Sequence, residues 1–439
     1  MTPDPTGAAR PGRLSRIPIR RLAGFLGLPL ISAVAPFLVL PVLLRHVGTE
    51  AWAGIAIGQS VGTGAATLVL LGWTVVGPSL VAEDRTREKV LYSESLVSRL
   101  VVFGLAAPTG MAIAAALAPP AVRVDAALMA LAAAMLGLAP TWYFVGTGRP
   151  AAIAALDTVP RVAATGLAAV LVAQLAVAWV YPVVLLLSSS ACLLVATRRY
   201  WQPTGESPLR VTVRTVRTQW TAAGVAVLGA LFTILPITLL ALVTPGVVAE
   251  YAALDRITKF AVFALGPVGL AFQGWVSEPS PSAAQRRRTA LLVTVGTGVV
   301  LAVGYVVSAD LLLRVLFAGE IRVPSSAVLF LAVAIVCIAL GTTLGFHHLV
   351  PLKMSGWVAV SAVASNVVGG VAISLLAPEH GVTGATAGVA LAEIAVVLVQ
   401  GGALAARWRR DRRSRHATTA APTADVEVAG GPPGFRGRH

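Results

Sequence analysis

The stretch TRRYWQPTGESPLRVTVRTVRTQW, residues 197–220, is the longest polar segment between the apolar runs of this sequence. It holds five arginines together with two prolines and a glycine, a composition that does not favour burial in a bilayer. Six long apolar runs precede it and six follow it. Because the two halves then enter and leave the membrane on the same side, the pattern predicts two parallel six-helix lobes, an architecture typical of transporters.

Each of the twelve apolar runs is long enough to cross a bilayer, for which a helix needs about 20 residues. The 439 residues are 56% apolar and 12% charged, and the mean hydropathy is +0.82, so no sizeable soluble domain is expected. The predicted fold class is therefore an all-α polytopic membrane protein of about 12 transmembrane helices. The runs begin near Leu22, Ala51, Leu96, Val124, Ala151, Val177, Trp220, Val247, Ala290, Ser325, Gly356 and Val382.

The distribution of basic residues predicts the orientation. Twenty-six of the 34 lysines and arginines lie in the two terminal tails and in the loops that follow even-numbered spans. Four lie in or beside the odd-numbered loops, namely Arg45, Arg123, Arg314 and Arg322. Since cytoplasmic segments carry the excess of Lys and Arg, both termini are predicted to be cytoplasmic.

These observations predict five segments along the chain. Residues 1–20 form a basic cytoplasmic tail, 21–197 the N-terminal lobe, 198–218 a cytoplasmic linker, and 219–409 the C-terminal lobe. Residues 410–439, rich in Ala, Thr, Pro and Gly, are predicted to be a disordered cytoplasmic tail. The net charge of +15 is spread over loops with no folded module to present it, so we expect no nucleic-acid partner.

Three segments resemble those of known membrane proteins. LPVLLRHVG at 40–48 with WAG at 52–54, LAPTWYFVGTG at 138–148, and AEYAALDRI at 249–257 with LGP at 265–267 fall around the second, fourth and eighth spans. Together with the six-plus-six plan, they make residues 20–410 similar to lipid-linked oligosaccharide flippases of the O-antigen type. These flippases form the polysaccharide-transporter branch of the multidrug/oligosaccharidyl-lipid/polysaccharide exporter superfamily.

The resemblance implies a multi-pass plasma-membrane transporter that moves a lipid-linked oligosaccharide or polysaccharide precursor by alternating access, without a cofactor. Its expected partners are the lipid-linked glycan, membrane lipids and glycan-assembly proteins. Two alternatives stay open: a multidrug or small-cation antiporter of the same superfamily, and a membrane glycan polymerase or ligase. The antiporter would need an acidic cavity, and the enzyme would need a large extracytoplasmic loop, whereas every odd-numbered loop of this sequence is short.

Ionisable residues inside the spans are the candidate site, because each costs about 2.5–3.5 kcal/mol on insertion scales unless it faces water or a partner. Arg256 and Lys259, three residues apart in the eighth span, share a helix face beside Asp255. They are predicted to line a cationic cavity for a phosphate headgroup, since arginine binds phosphate through planar, bidentate donors. Snorkelling to the membrane interface is the structural alternative.

Four further intramembrane residues complete the candidate set. Arg99 in the third span and Arg161 in the fifth are predicted to add to the cationic cavity. Asp157 lies four residues before Arg161 and is expected to pair with it on one helix face, either as an internal salt bridge or as part of the site. Asp157, Asp255 and Glu393 are the candidates for ion coupling or gating; hydrogen-bonded packing is the alternative for Glu393. No metal-ligand spacing is present in the sequence.

Overall fold

The computed structural model describes residues 36–277 and 282–419, which form helices and short connections without any β-strand. We number the main helices in chain order. They are α1 Pro36–Val47, α2 Thr49–Glu83, α3 Arg85–Leu117, α4 Pro120–Thr147, α5 Pro150–Leu175, α6 Val180–Tyr200, α7 Pro208–Val243, α8 Val248–Ser277, α9 Ala283–Leu316, α10 Ser325–Leu349 and α11 Gly356–Thr419. The all-α prediction is confirmed for the described part of the chain.

Nine of the described helices are long and apolar enough to cross a membrane, namely α2–α7 and α9–α11. The helix α1 is a shorter apolar helix, and the first predicted span begins outside the described residues. The long α11 is two helices joined at Gly381, whose φ of 57° and ψ of −136° are not helical. Its two arms are antiparallel, because the Gln400 Nε2 donates a hydrogen bond of 2.9 Å to the Ser361 Oγ. The arms correspond to the eleventh and twelfth predicted spans.

Two of the membrane helices, α2 and α4, are interrupted within their length. In α2 the chain passes through left-handed backbone at Leu71 and Gly72, with φ of 48° and 80°. In α4 a 3₁₀ turn and Pro140 break the helix before Thr141. Proline lacks the N–H donor that a continuous helix requires, so such breaks leave backbone carbonyls without a partner. Discontinuous helices of this kind surround the central sites of transporters.

Small residues allow the close contact between α2 and α4. A Cβ at Gly58 would lie 2.2 Å from the Ala126 carbonyl oxygen, and one at Gly62 would lie 2.4 Å from the Ala130 oxygen. Neither position accepts a larger residue without a shift of the backbone. In membranes, where apolar burial gives little net attraction between helices, such close packing of small residues holds helices together.

The two halves of the chain, α1–α6 and α7–α11, share a large apolar core at one end of the molecule. A continuous cluster joins α1 and α2 to α8, α9 and α10 near the α1–α2, α7–α8 and α9–α10 connections. At the opposite end, the described cluster around Trp73, Tyr92 and Trp142 contains only residues of the N-terminal half. The halves are therefore sealed together at the end of the odd-numbered connections.

Two predicted boundaries differ from the structure. The predicted linker 198–218 is largely helical, since α6 continues to Tyr200 and α7 already begins at Pro208. Proline is well suited to the first helical turn, which explains the early start. The helix α11 extends to Thr419, into the segment predicted to be disordered from 410, because arginine favours helix and no Gly or Pro interrupts this stretch. The predicted N-terminal tail and residues 420–439 lie outside the described residues.

Candidate functional site: a basic cavity between the two halves

A cavity of about 170 Å³ lies between α2, α7 and α8, and we call it the central cavity. Arg256 of α8 reaches across it and donates a hydrogen bond from Nη2 to the Gln59 Oε1 of α2. The Arg256 guanidinium also lies over the Trp52 ring, 5.8 Å from its centroid. Both contacts hold the guanidinium against the opposite half, with its remaining donors available to the cavity.

Lys259 lies one turn after Arg256 and also lines the central cavity. Its ammonium donates to the Asp255 Oδ2 at 2.6 Å, and both side chains remain partly exposed. Pairs at i and i+4 of a helix are close enough for this contact. The two cations and one carboxylate leave the central cavity with a net positive charge.

A second, smaller cavity of about 100 Å³, the N-terminal cavity, lies between α2, α4, α5 and α6. It contains the ion pair between Arg161 and Asp157, where α5 includes a π-helical turn at Ala154–Thr158. The predicted pairing of these two residues is confirmed. Gln59 lines both this cavity and the central one, so the two are neighbours separated by one side chain.

A third cavity of about 650 Å³, the C-terminal cavity, lies within α7, α8, α10 and α11 and shares Asp255 and Lys259 with the central cavity. Its walls differ in character. The helices α7, α8 and α10 contribute mainly apolar residues besides Asp255, Lys259 and three threonines, and the arms of α11 contribute most of the other polar residues together with some apolar ones. The apolar wall includes Leu228, Phe232, Val262, Phe263, Leu331, Ile338 and Phe346; the polar wall includes Ser361, Ser365, Asn366, Glu393 and Gln400.

Glu393 is 6% exposed, and no hydrogen bond or ion pair to it is found in the described part of the chain. Asp157 and Asp255, by contrast, each contact a cation. A buried carboxylate without a counter-charge is costly, and such groups in membranes usually exchange a proton or bind a cation. Of the three predicted coupling residues, Glu393 is the one whose charge the described protein leaves uncompensated.

Trp52 of α2 makes several contacts with the C-terminal half. Its indole is 1% exposed, and Nε1 donates to the Ala249 carbonyl oxygen at 3.1 Å. Its ring packs against Phe317, with centroids 5.9 Å apart, and against the Arg256 guanidinium. Trp52 therefore joins the sealed end of the molecule directly to the basic group of the central cavity.

Arg99 is placed elsewhere, which corrects its prediction as a cavity residue. Its side chain is fully buried within the N-terminal half and lines none of the three cavities. Its Nη1 donates to the carbonyl oxygens of Gly137 and Ala139, each at 3.0 Å. These carbonyls lie where α4 is interrupted before Pro140, so Arg99 supplies the donors that the broken helix lacks.

Comparison with known proteins identifies the family. The model of the family described as polysaccharide biosynthesis protein matches residues 25–273, more than half of the chain. This chain belongs to that family. A search of curated proteins finds no match.

Solved structures with the same fold include two kinds of transporter. The eukaryotic MATE transporter AtDTX14 superposes with a TM-score of 0.61 at 14% identity, over 90% of this chain and 98% of that one. The lipid II flippase MurJ, in an inward closed conformation, superposes with a TM-score of 0.56 at 12% identity, over 87% of this chain and 86% of that one. An inward-facing multidrug resistance MATE transporter of the MOP superfamily superposes with a TM-score of 0.55 at 16% identity, over 92% of this chain and 99% of that one.

The family match and the long apolar helices make this chain a multi-pass membrane protein of the polysaccharide biosynthesis protein family, with the fold of the MATE transporters and of the MurJ flippase. The resemblance inferred from the sequence is thereby confirmed. Within residues 36–277 and 282–419, no group of three or more His, Cys, Asp and Glu side chains is placed to bind a metal ion.

The structure of this family member brings Arg256, Lys259 and Asp255 together, with Asp157 and Arg161 in the neighbouring cavity and Glu393 in the next. Gln59 and Trp52 also contact the site, and neither was predicted as a site residue from the sequence. Gln59 could have been predicted, because a single glutamine within an apolar span is unusual. His347 of α10 is also buried, and its Nε2 lies 3.0 Å from the Gly269 carbonyl oxygen.

The surroundings of Arg99 give a prediction. Replacing Arg99 by methionine keeps an unbranched apolar stem but removes the guanidinium donors, and each hydrogen bond to a charged group contributes about 1.5–3 kcal/mol. We expect the melting temperature of the purified protein to fall by several degrees, while the affinity of the folded fraction for inorganic diphosphate stays unchanged. An Arg99→Met protein with normal melting but weakened diphosphate binding would return Arg99 to the substrate site.

Proposed function

We propose that the protein moves a lipid-linked oligosaccharide or polysaccharide precursor across the cytoplasmic membrane by alternating access. The basic central cavity carries this proposal. A lipid-linked glycan bears a diphosphate, whose removal from water is costly unless fixed positive charge compensates it. Arg256 and Lys259 supply that charge between the two halves, where a ligand can contact both. Membership of the polysaccharide biosynthesis protein family supports the same substrate class.

Twelve spans with both termini in the cytoplasm are part of this proposal. The charge distribution supports the orientation. The nine long helices, with α11 counted as its two arms, give ten spans, and α1 and α8 bring the count to twelve. An epitope tag at either terminus should be inaccessible to antibody in intact cells and become accessible after permeabilisation. Labelling of a terminal tag in intact cells would disprove the orientation.

The division into two lobes defines how access would alternate. In the proposed orientation the sealed end, which contains Trp52, faces outside, and towards the cytoplasm the halves still meet through α7, whose Arg214 forms an ion pair of 2.9 Å with Glu94 of α3. Substrate would then enter the central cavity from the cytoplasmic side. The opposite state requires the contacts of Trp52 with Ala249 and Phe317 to break.

We further propose Glu393 as the group that couples transport to an ion gradient. Proton binding removes its charge and cation binding compensates it, and neither requires a salt bridge to be broken first, unlike at Asp157 and Asp255. Coupling in this way needs only that the two states of the transporter differ in affinity for the ion.

Glu393→Gln keeps the shape of the side chain but removes its charge and its exchangeable proton. In proteoliposomes, we expect this variant to transport at one rate with or without an imposed proton gradient, and to bind substrate normally. Glu379→Gln, the same change at an exposed residue near Gly381, serves as the control and should keep gradient-driven transport. A Glu393→Gln protein that responds fully to the gradient would exclude a proton-coupling role.

A lipophilic-cation antiporter is the second candidate, favoured by one observation: Glu393 faces an apolar wall across the C-terminal cavity. Ligand-dependent thermal stabilisation separates the two, because a ligand that binds only the folded state raises its stability. We expect a lipid-linked diphosphate oligosaccharide to raise the melting temperature of purified protein and tetraphenylphosphonium to leave it unchanged. The reverse result would replace the first candidate by the second.

A further inference from the structure

The three cavities differ in chemistry, and the central cavity shares lining residues with each of the other two. The N-terminal cavity contains an ion pair and the polar residues Gln59, Thr165 and Ser188. The central cavity carries the net positive charge, and the C-terminal cavity has the apolar wall on α7, α8 and α10. A lipid-linked glycan has the same order of parts: a polar glycan, an anionic diphosphate and an apolar chain.

The residues of α8 that line the cavities change from charged to apolar within about two turns of the helix. Asp255 and Lys259 line both the central and the C-terminal cavity, and Val262, Phe263 and Gly266 follow them on the C-terminal cavity wall. These residues are spaced three or four apart and therefore lie on one face of the helix. A diphosphate held by Lys259 is thus adjacent to an apolar surface.

The attachment of the lipid makes such a surface necessary. The first carbons of the chain are covalently joined to the diphosphate, so they must enter the protein whenever the diphosphate occupies the central cavity. The volume of about 650 Å³ is ample for them and falls within the range of about 300–1,000 Å³ typical of ligand pockets. Phe263 of α8 and Phe346 of α10 line this cavity and are 52% and 45% exposed, so neither ring is tightly packed against its neighbours.

We infer that the C-terminal cavity receives the part of the lipid chain nearest the diphosphate. The rest of the lipid chain then passes between α8 and α10 into the bilayer. This inference rests on the proposed function, since it requires a diphosphate at Arg256 and Lys259. In this arrangement the lipid chain contacts the apolar wall of the cavity, and Glu393, on the α11 wall, remains available for ion exchange.

Gly266 gives a direct way to fill the cavity. It lines the wall, and a Cβ added there meets no atom within 4 Å, so Gly266→Leu should fold. Gly304 of α9 has equally open surroundings and does not line the cavity, which makes Gly304→Leu the matched control. The probes are farnesyl diphosphate, which carries an apolar chain, and inorganic diphosphate, which has none.

We expect the unmodified protein to bind farnesyl diphosphate at least tenfold more tightly than inorganic diphosphate. Gly266→Leu should weaken farnesyl diphosphate at least tenfold and change inorganic diphosphate by less than twofold, and Gly304→Leu should change neither. Normal binding of inorganic diphosphate also shows that the variant is folded.

Three results would overturn the inference. One is equal affinity of the unmodified protein for the two diphosphates. A second is a Gly266→Leu variant that affects both probes alike or neither. A third is a Gly266→Leu variant that loses tetraphenylphosphonium but keeps farnesyl diphosphate, which would assign the cavity to a lipophilic cation. If the unmodified protein binds neither diphosphate, the proposed function itself fails.

Discussion

Replacing Arg256 by glutamine and Lys259 by methionine together should abolish glycan export without loss of folded protein from the membrane. Both changes keep most of the side-chain bulk and remove the two positive charges of the central cavity. Charge-assisted hydrogen bonds to a phosphate contribute about 1.5–3 kcal/mol each, and about 1.4 kcal/mol corresponds to a tenfold change in affinity. Substrate capture should therefore weaken by well over tenfold. Export in cells, normalised to membrane abundance, is the measurement.

A matched control removes the same charge elsewhere. Arg314 and Arg322 are exposed near the α9–α10 connection and line none of the three cavities, so Arg314→Gln with Arg322→Gln should leave export near normal. Export that persists in the Arg256/Lys259 double variant at normal abundance would move the substrate site, with Arg161 of the N-terminal cavity the next candidate.

Trp52→Ala should open the sealed end of the molecule. Truncating a buried tryptophan costs about 3–5 kcal/mol, and the Trp52 contacts with Ala249 and Phe317 exist only while the two halves meet there. The population open to the outside should therefore rise. A cysteine at Ala252, which is buried in the central cavity wall, reports this opening through an impermeant thiol reagent added outside. We expect its labelling to increase at least tenfold.

Two variants make this result specific. In a chain whose Cys192 and Cys337 are replaced by alanine, Trp52→Phe keeps an aromatic ring but loses the hydrogen bond to Ala249, so its labelling should be intermediate. Trp73 is equally buried but stacks on Trp142 within the N-terminal half, so Trp73→Ala should not increase labelling. Equal labelling in the Trp52→Ala and Trp73→Ala proteins would mean that Trp52 does not close the outer end.

The fold was largely predictable because membrane insertion makes the helices visible as apolar runs of the right length. The sequence does not reveal how the helices are interrupted. The π-helical turns at Ala154–Thr158 and Thr343–Leu349, and the left-handed backbone at Leu71, depend on the packing of neighbouring helices. The start of α7 at Pro208, inside the predicted linker, could not be predicted from charge alone, because arginine is frequent in loops and also favours helix.

The candidate site divides into contacts that spacing encodes and contacts that it does not. Asp157–Arg161 and Asp255–Lys259 are pairs at i and i+4, so the helix alone brings them together. The Gln59–Arg256 hydrogen bond joins residues 197 apart in sequence and depends on how α2 meets α8. The contacts of Arg99 could not be predicted either, because its partners are backbone carbonyl oxygens, which no pattern of side chains in the sequence indicates.

The central claim is that the positive charge of Arg256 and Lys259 carries a lipid-linked diphosphate through the protein. Transbilayer movement of a fluorescent lipid-linked diphosphate oligosaccharide in proteoliposomes tests it most directly. The unmodified protein and the Arg314/Arg322 control should move the lipid at equal rates, and the Arg256/Lys259 double variant should not exceed protein-free liposomes. Movement by the double variant at the rate of the unmodified protein would contradict the claim.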